Sequence, residues 1–179
     1  MPVTANHNGL IQLYHGDGKG KTSAAVGAAV RAAGAGFGVC FVQLNKDGGS
    51  SELKILRTLP GVRVISGKPT NLFSWQMSEL QLKEAKESNN AHFMAGMNCA
   101  RESCGMVVFD ELCSAYNFDL IDKDMVIREL TARPSNVEIV LTGRDPAPEL
   151  INLADYISEI RMVRHPYEKK IGARHGIEY

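Results

Sequence analysis

The sequence predicts an α/β fold, an open, doubly wound sheet of six mostly parallel strands with helices on both faces. Three observations carry that prediction. Short runs are apolar on successive positions, as strands are when helices cover both sides of a parallel sheet. These runs alternate with stretches of helical character, the β-α-β order that builds such sheets through right-handed crossovers. The first run then passes through a glycine-rich turn, "HGDGKGKTS" at residues 15 to 23, straight into an alanine-rich stretch. Ligands of these sheets gather at the carboxyl ends of the strands, so residues just after each strand are the candidates for chemistry.

In chain order, "LIQLY" (Leu10 to Tyr14) is the first expected strand, and the alanine-rich helix follows from Lys21 to Ala33. Gly34 and Gly36 end that helix, since glycine accepts the backbone conformations that close one. "VCFVQL" (Val39 to Leu44) and "VRVI" (Val62 to Ile65) are the second and third strands, each too short and too apolar to be a surface helix. A long helix is expected from about Ser78 to Arg101, with Ser78 as its N-cap. "MVVFD" (Met106 to Asp110) is the fourth strand. A helix from Asp122 to Ala132 begins at an Asp cap and is closed by Pro134. "VEIVL" (Val137 to Leu141), a helix from Pro146 to Ala154, and "YISEIRMV" (Tyr156 to Val163) complete the pattern, without internal repeats.

With 179 residues, 44% of them hydrophobic, and a formal net charge of +0, the chain is expected to form one domain over residues 1–179, with residues 1–8 flexible. The opening "MPVTANHNG" has no basic segment leading into an apolar run, and "SAAVGAAVRAAGAG" is short and interrupted by Arg31, so a cytoplasmic protein without a membrane span is expected. Balanced charge without a Lys/Arg block argues against a nucleic-acid partner. Cys40, Cys99, Cys104 and Cys113 have no paired C-x-x-C spacing and read as reduced, buried thiols. Met77, Met94, Met97, Met106, Met125 and Met162 read as core fillers. His7, His92 and His175 read as solvated, and "ELQLKEAKE" as the solvated face of a helix.

The glycine-rich turn is one residue short of the phosphate-loop pattern G-x-x-x-x-G-K-[ST], with His15 where the first glycine should stand. Its setting between a strand and a helix is the one a phosphate loop requires. Gly16, Gly18 and Gly20 let main-chain N–H groups turn inward, alongside Asp17 and Lys19, and the helix N-terminus adds partial positive charge. Lys21 is placed to reach phosphate oxygens, Thr22 to offer its hydroxyl to Mg²⁺, and Ser23 completes the G-K-T-S run. Asp110 and Glu111, at the end of the fourth strand, are the acidic residues suited to hold Mg²⁺ or orient its waters. "LTGRDPAPE" brings Thr142, Gly143 and Arg144 to the same edge; Arg144 either neutralises a terminal phosphate or pairs with Asp145 or Glu149. Arg161 and His165 read as structural. The whole is phosphate-loop NTPase-like, of the RecA-like kind.

Taken together, "GLIQLYHGDGKGKTSAAVGAAVRAAG", "VVFDEL", "RPSNVEIVLTGRDPAPELINLAD" and "EIRMVRHPYEKKIGARHGIEY" resemble the ATP:cob(I)alamin adenosyltransferases of the bacterial CobA/CobO/BtuR type, from about Gly9 to Tyr179. The resemblance implies that a corrinoid Co(I) attacks the 5′ carbon of ATP, that the 5′-deoxyadenosyl group passes to cobalt, and that triphosphate leaves. It also gives the short loop a meaning, because ATP in this family lies reversed relative to ordinary phosphate-loop enzymes. Lys21, Mg²⁺ and main-chain N–H donors would then grip a leaving group, and no residue is needed to activate water.

In "NLFSWQM", Phe73 and Trp75 are similar to the family's Phe-x-Trp element, which implies that they displace the axial ligand of a Co(II) corrinoid and ease its reduction. Read without the resemblance, they are core aromatics. A reducing flavoprotein such as a flavodoxin, and a homodimer, are further implications. Three departures stand out: Asp17 replaces the family's common Asn, "KPTN" replaces glycines before Phe-x-Trp, and only eight residues precede Gly9. A carboxylate at position 17 would repel phosphate unless Lys19 or Mg²⁺ compensates it. The rival readings are a phosphate-loop kinase or ATPase, and a non-catalytic nucleotide or corrinoid sensor.

Overall fold

The computed structural model describes residues 8–67 and 77–178. Its strands are β1 (Ile11–His15), β2 (Val39–Gln43), β3 (Val62–Ser66), β4 (Met106–Asp110), β5 (Glu138–Gly143) and β6 (Tyr156–Glu159). The helices are α1 (Lys21–Gly34), α2 (Ser51–Leu56), α3 (Glu79–Glu102), α4 (Leu112–Asn117), α5 (Lys123–Thr131) and α6 (Pro148–Leu153), followed by a 3-10 turn at Pro166–Lys169. The strands form one sheet in the order β3-β2-β4-β5-β1-β6, and every neighbouring pair is parallel. The doubly wound α/β expectation therefore holds, with a fully parallel sheet.

Apolar runs form strands here because both faces of the sheet are covered. Alternate residues of β2 go opposite ways: Cys40 and Val42 join one buried cluster, Val39 and Phe41 the other. The first cluster contains Phe93 and Met97 of α3, Leu112 and Tyr116 of α4, Val126 and Leu130 of α5, and Leu150 of α6. Ala25 and Ala29 of α1, one turn apart, pack on the second with Leu53 and Leu56 of α2. Their small side chains let α1 run close to the strands that lead into the loop before it.

The expected caps are formed. Ser78 and Gln81 make a reciprocal capping box at the start of α3, and Asp122 Oδ1 accepts from the Met125 N–H at 2.9 Å. Two helices go beyond the sequence expectation, α2 and α4, each only six residues long. One strand falls short of it: β6 stops at Glu159, not Val163. Past that point its neighbour β1 has already turned into the glycine-rich loop, so the ladder ends and the chain bonds to the loop. The Gly18 N–H donates to the Ile160 carbonyl at 2.8 Å.

Several smaller expectations are also settled. Met97 and Met106 are buried, whereas Met162 is 44% exposed and fills no core. Cys40, Cys99 and Cys113 are buried, Cys104 is half-buried, and all four are free thiols. His92 is not solvated in full: its Nδ1 is buried without a hydrogen-bond partner among the described residues, and burial lowers its basicity. His175 is exposed. His7, Phe73 and Trp75, and all but the last of the eight residues expected to be flexible, lie outside the described residues. No described helix is long and apolar enough to cross a membrane.

Candidate active site

The parallel register brings the carboxyl ends of β1, β4, β5 and β2 together. His15 aligns with Gly143, Tyr14 with Thr142, and Gln43 with Asp110. At this edge the chain leaves β1 for α1 and next enters the sheet at β2, two strands beyond β5. Such a reversal opens the crevice in which open α/β sheets bind ligands.

Gly16 to Gly20 form the loop between β1 and α1. Gly16 has φ +114°, and a Cβ there would stand 2.4 Å from the Ile160 carbonyl oxygen, so only glycine fits. The Lys21 ammonium donates to the carbonyls of Gly16 and Gly18, both at 2.8 Å, and so folds back over the loop. Partial burial, then the nearby Arg144, make Lys21 less basic than usual. Both causes disfavour its charge, which an incoming anion would restore. Lys19 and Ser23 are exposed beside it, and His15 ends β1 with its carbonyl accepting from Ile160 N–H at 2.8 Å.

Asp17 has a specific partner that the sequence did not reveal. Its Oδ1 accepts from the Met162 N–H at 2.9 Å, and this bond holds its carboxyl below the usual carboxylate range. The bond stabilises the ionised carboxylate, and the positive charges of Arg144 and Lys21 favour it further. The carboxylate ties the glycine-rich loop to the segment after β6. Within that segment Arg161 pairs with Glu159 at 2.7 Å, and His165 Nδ1 accepts from the Tyr167 N–H at 3.1 Å, so both act structurally.

Asp110 is fully buried and fully satisfied. Oδ1 accepts from the hydroxyls of Thr22 at 2.9 Å and Thr142 at 2.7 Å. Oδ2 accepts from Gln43 Nε2 and from the Lys46 ammonium, both at 3.2 Å. A buried carboxylate is costly unless paired and hydrogen-bonded, and here all four donors converge on it. Burial works against the charge of Lys46, yet Asp110 and then Glu111 outweigh it and leave this lysine more basic than usual.

Glu111 adopts left-handed backbone, φ 63°, and its N–H donates to the Thr142 hydroxyl at 2.9 Å. The Ser114 hydroxyl donates to its Oε2 at 2.6 Å. Arg144 is exposed next to the loop, and no ion pair joins it to Asp145 or Glu149 among the described residues. Its backbone is held instead, by Asn117 Nδ2 donating to the carbonyls of Arg144 at 3.3 Å and Asp145 at 2.7 Å.

The structure thus gathers the loop, Thr22, Asp110, Glu111 and Arg144 at one edge, while Phe73 and Trp75 fall outside the described residues. Gln43 and Lys46 belong to the same cluster and were not singled out from the sequence. The available signal was their place, at and just after the carboxyl end of β2.

The donors around Thr22 suit a hard cation such as Mg²⁺. Thr22 gives its hydrogen to Asp110, which leaves its oxygen lone pairs available, and Glu111 supplies a carboxylate, while Asp110, already accepting four hydrogen bonds, orients the Thr22 hydroxyl. No group of three or more His, Cys, Asp or Glu side chains is arranged to hold a metal among the described residues. Mg²⁺ does not require one, since it takes one or two carboxylates together with substrate phosphates and water.

Comparison with known proteins supplies an independent line. The family described as ATP:corrinoid adenosyltransferase BtuR/CobO/CobP matches residues 7–179. A corrinoid adenosyltransferase of Pseudomonas aeruginosa is 33% identical over 175 residues, covering 97% of this chain and 85% of that protein. The corrinoid adenosyltransferase CobA of Salmonella typhimurium is 32% identical over 179 residues, with 96% and 86% covered. A corrinoid adenosyltransferase of Escherichia coli is 30% identical over 177 residues, with 97% and 87% covered.

Proposed function

The chain belongs to the ATP:corrinoid adenosyltransferase family, and from that premise we propose that its glycine-rich loop holds the triphosphate of ATP as a leaving group. The enzyme transfers the 5′-deoxyadenosyl group of ATP to Co(I) of a corrinoid. The cobalt lone pair forms the Co–C bond to C5′, the C5′–O bond breaks, and its electron pair leaves with triphosphate. What the protein must supply is orientation and charge neutralisation at that leaving group. The observation that carries the reading is the convergence of Lys21 and Thr22 on the loop with the buried Asp110 beneath them.

In this reading, main-chain N–H groups of the loop from Gly16 to Gly20, apart from that of Gly18, which is bonded to the Ile160 carbonyl, line the triphosphate, with His15, Asp17 and Lys19 shaping the loop's entrance. Lys21 neutralises charge, and Ser23 continues the loop into α1. Arg144, exposed and without a carboxylate partner among the described residues, is a further phosphate contact. Thr22 and Glu111 would hold Mg²⁺, with Asp110 orienting Thr22 and the ion's waters, and the ion when bound supplies further neutralisation of the leaving group. Phe73 and Trp75 serve the cobalt side, excluding the axial ligand so that a reduced flavoprotein can deliver the electron. Residues 1–179 act as one domain in the cytoplasm. A homodimer is supported by the exposed edge strand β6 and by Val163, Tyr167, Ile171 and Ile177, at 96%, 77%, 46% and 54% exposure.

The decisive experiment incubates the protein with MgATP and a chemically pre-reduced corrinoid without oxygen, then identifies the released phosphate species. Triphosphate with stoichiometric loss of the Co(I) absorbance is expected. ADP and orthophosphate, with Co(I) unchanged, would sink the reading in favour of a kinase or ATPase.

A further inference from the structure

We infer that Lys46 is a second lysine of the triphosphate site, delivered from the loop after β2 and shared between Asp110 and a phosphate oxygen. The inference rests on the adenosyltransferase reading and goes beyond it by adding a binding residue from a different strand end.

Lys46 reaches Asp110 Oδ2 at 3.2 Å, while Thr22, the last residue of the loop's G-K-T run, reaches Oδ1 of the same carboxylate at 2.9 Å. The two groups therefore flank one buried side chain. An ammonium carries three N–H donors, and Asp110 is the sole acceptor for that of Lys46 among the described residues. The side chain remains 33% exposed, against 0% for Asp110, so it is not enclosed with the carboxylate it meets.

The position of Lys46 is built, not incidental. Asn45 takes a left-handed backbone conformation, φ 56°, which turns the chain back over the sheet edge. That turn is clamped by Asn89 of α3, 4% exposed, which accepts from the Asn45 N–H at 3.2 Å and donates to Asn45 Oδ1 at 2.7 Å. The same Asn89 amide donates to the Leu120 carbonyl at 2.9 Å, anchoring the clamp to the core. On the other side, a Cβ on Gly67 would stand 2.8 Å from the Lys46 carbonyl, so the backbone there is closely boxed in. A lysine serving only as a counter-ion to Asp110 would not need to keep a third of its side chain exposed at the mouth of a phosphate loop.

Charge points the same way. Asp17, Asp110 and Glu111 are three carboxylates around a site that accepts triphosphate in this reading, and Lys46 adds a positive charge to those of Lys19, Lys21 and Arg144 there. A compact ammonium acting as a point charge is the lysine's ordinary way of holding phosphate.

The test uses magnesium tripolyphosphate as probe, with affinity read by calorimetry on the full chain. Lys46→Gln keeps an N–H donor for Asp110 but removes the charge, Lys46→Arg keeps the charge, and Lys21→Ala serves as reference. Losing one charged hydrogen bond should weaken binding by about tenfold or more. Lys46→Gln should show that loss and a shallower salt dependence, with Lys46→Arg retaining most of the affinity. Wild-type affinity in Lys46→Gln, alongside clear loss in Lys21→Ala, would overturn the role of Lys46 and leave the adenosyltransferase reading intact. Unchanged affinity in Lys21→Ala would count against the phosphate loop itself. Should Lys46→Gln fail to fold, the wild-type protein carrying ¹⁵N-lysine answers the question. The Lys46 Nζ resonance, assigned through Lys46→Arg, should shift when tripolyphosphate is added; an unmoved resonance overturns the inference.

Discussion

Asp17 is a carboxylate in the loop proposed to receive phosphate, and a single main-chain N–H explains its place. Because the Met162 N–H stabilises the ionised form, the folded carboxyl titrates below its ordinary value. The sign follows: the bond is fully present above the unfolded pKa and is lost only as pH falls through the lower folded value. In an NMR titration the Met162 amide should therefore keep its bonded chemical shift down through pH of about 4 and move below it; a midpoint at or above that value would contradict the assignment. Asp17→Asn should leave this amide bonded, since the side-chain oxygen remains. Phe73 and Trp75 call for a kinetic test. Phe73→Ala and Trp75→Ala should spare the reaction with pre-reduced Co(I) far more than the one starting from Co(II) and a reduced flavoprotein. Equal losses in both assays would remove the axial-displacement role. Residue identities alone located the loop and Asp110, but they could not show that Asp17 faces Met162, 145 positions away. They also could not show that Lys46 lies on Asp110, because such pairings exist only once the strand ends are aligned.

At the scale of elements, α3 carries much of the packing on one face of the sheet. Phe93 is fully buried, with its ring centroid 4.6 Å from that of Phe109 on β4 at 34° between planes. Phe93→Ala should cost about 3–5 kcal/mol in urea unfolding, as large aromatic truncations in cores do. Ser78→Ala, which removes only the exposed cap, should cost about 1 kcal/mol; similar costs for both would contradict this account of α3. Long elements with periodic patterns and caps were legible for a physical reason: they combine many weak local preferences that agree. The six-residue α2 and α4 were not, since so short a helix carries almost no periodic signal and owes its stability to contacts such as Leu53 and Leu112 in the core. The over-long reading of β6 has the same origin. "YISEIRMV" has strand character throughout, but its pairing ends where β1 becomes a loop.

For the whole molecule, burial governs thiol chemistry. It is the largest influence raising Cys104 to about 11 and Cys113 to about 12, and it lifts Cys40 further still. Since the thiolate is the reactive form, iodoacetamide at about pH 8 should label these three slowly in the native protein and rapidly after unfolding, as counted by mass spectrometry. Fast native labelling of Cys40 or Cys113 would contradict the packing described here. The sequence by itself determined the α/β class, the strand that feeds the glycine-rich loop, the candidacy of Lys21, Thr22 and Asp110, and the resemblance that led to the adenosyltransferase family. These are properties of local pattern and contiguous motif, written in neighbouring residues. Tertiary structure alone decided that Gln43, Lys46, Thr22 and Thr142 share one carboxylate, that Asn89 braces the loop bearing Lys46, and that Asp17 clips the glycine-rich loop to the segment after β6. A buried charge must find its donors wherever the sheet places them, and parallel strands joined by crossovers bring together residues far apart in the chain.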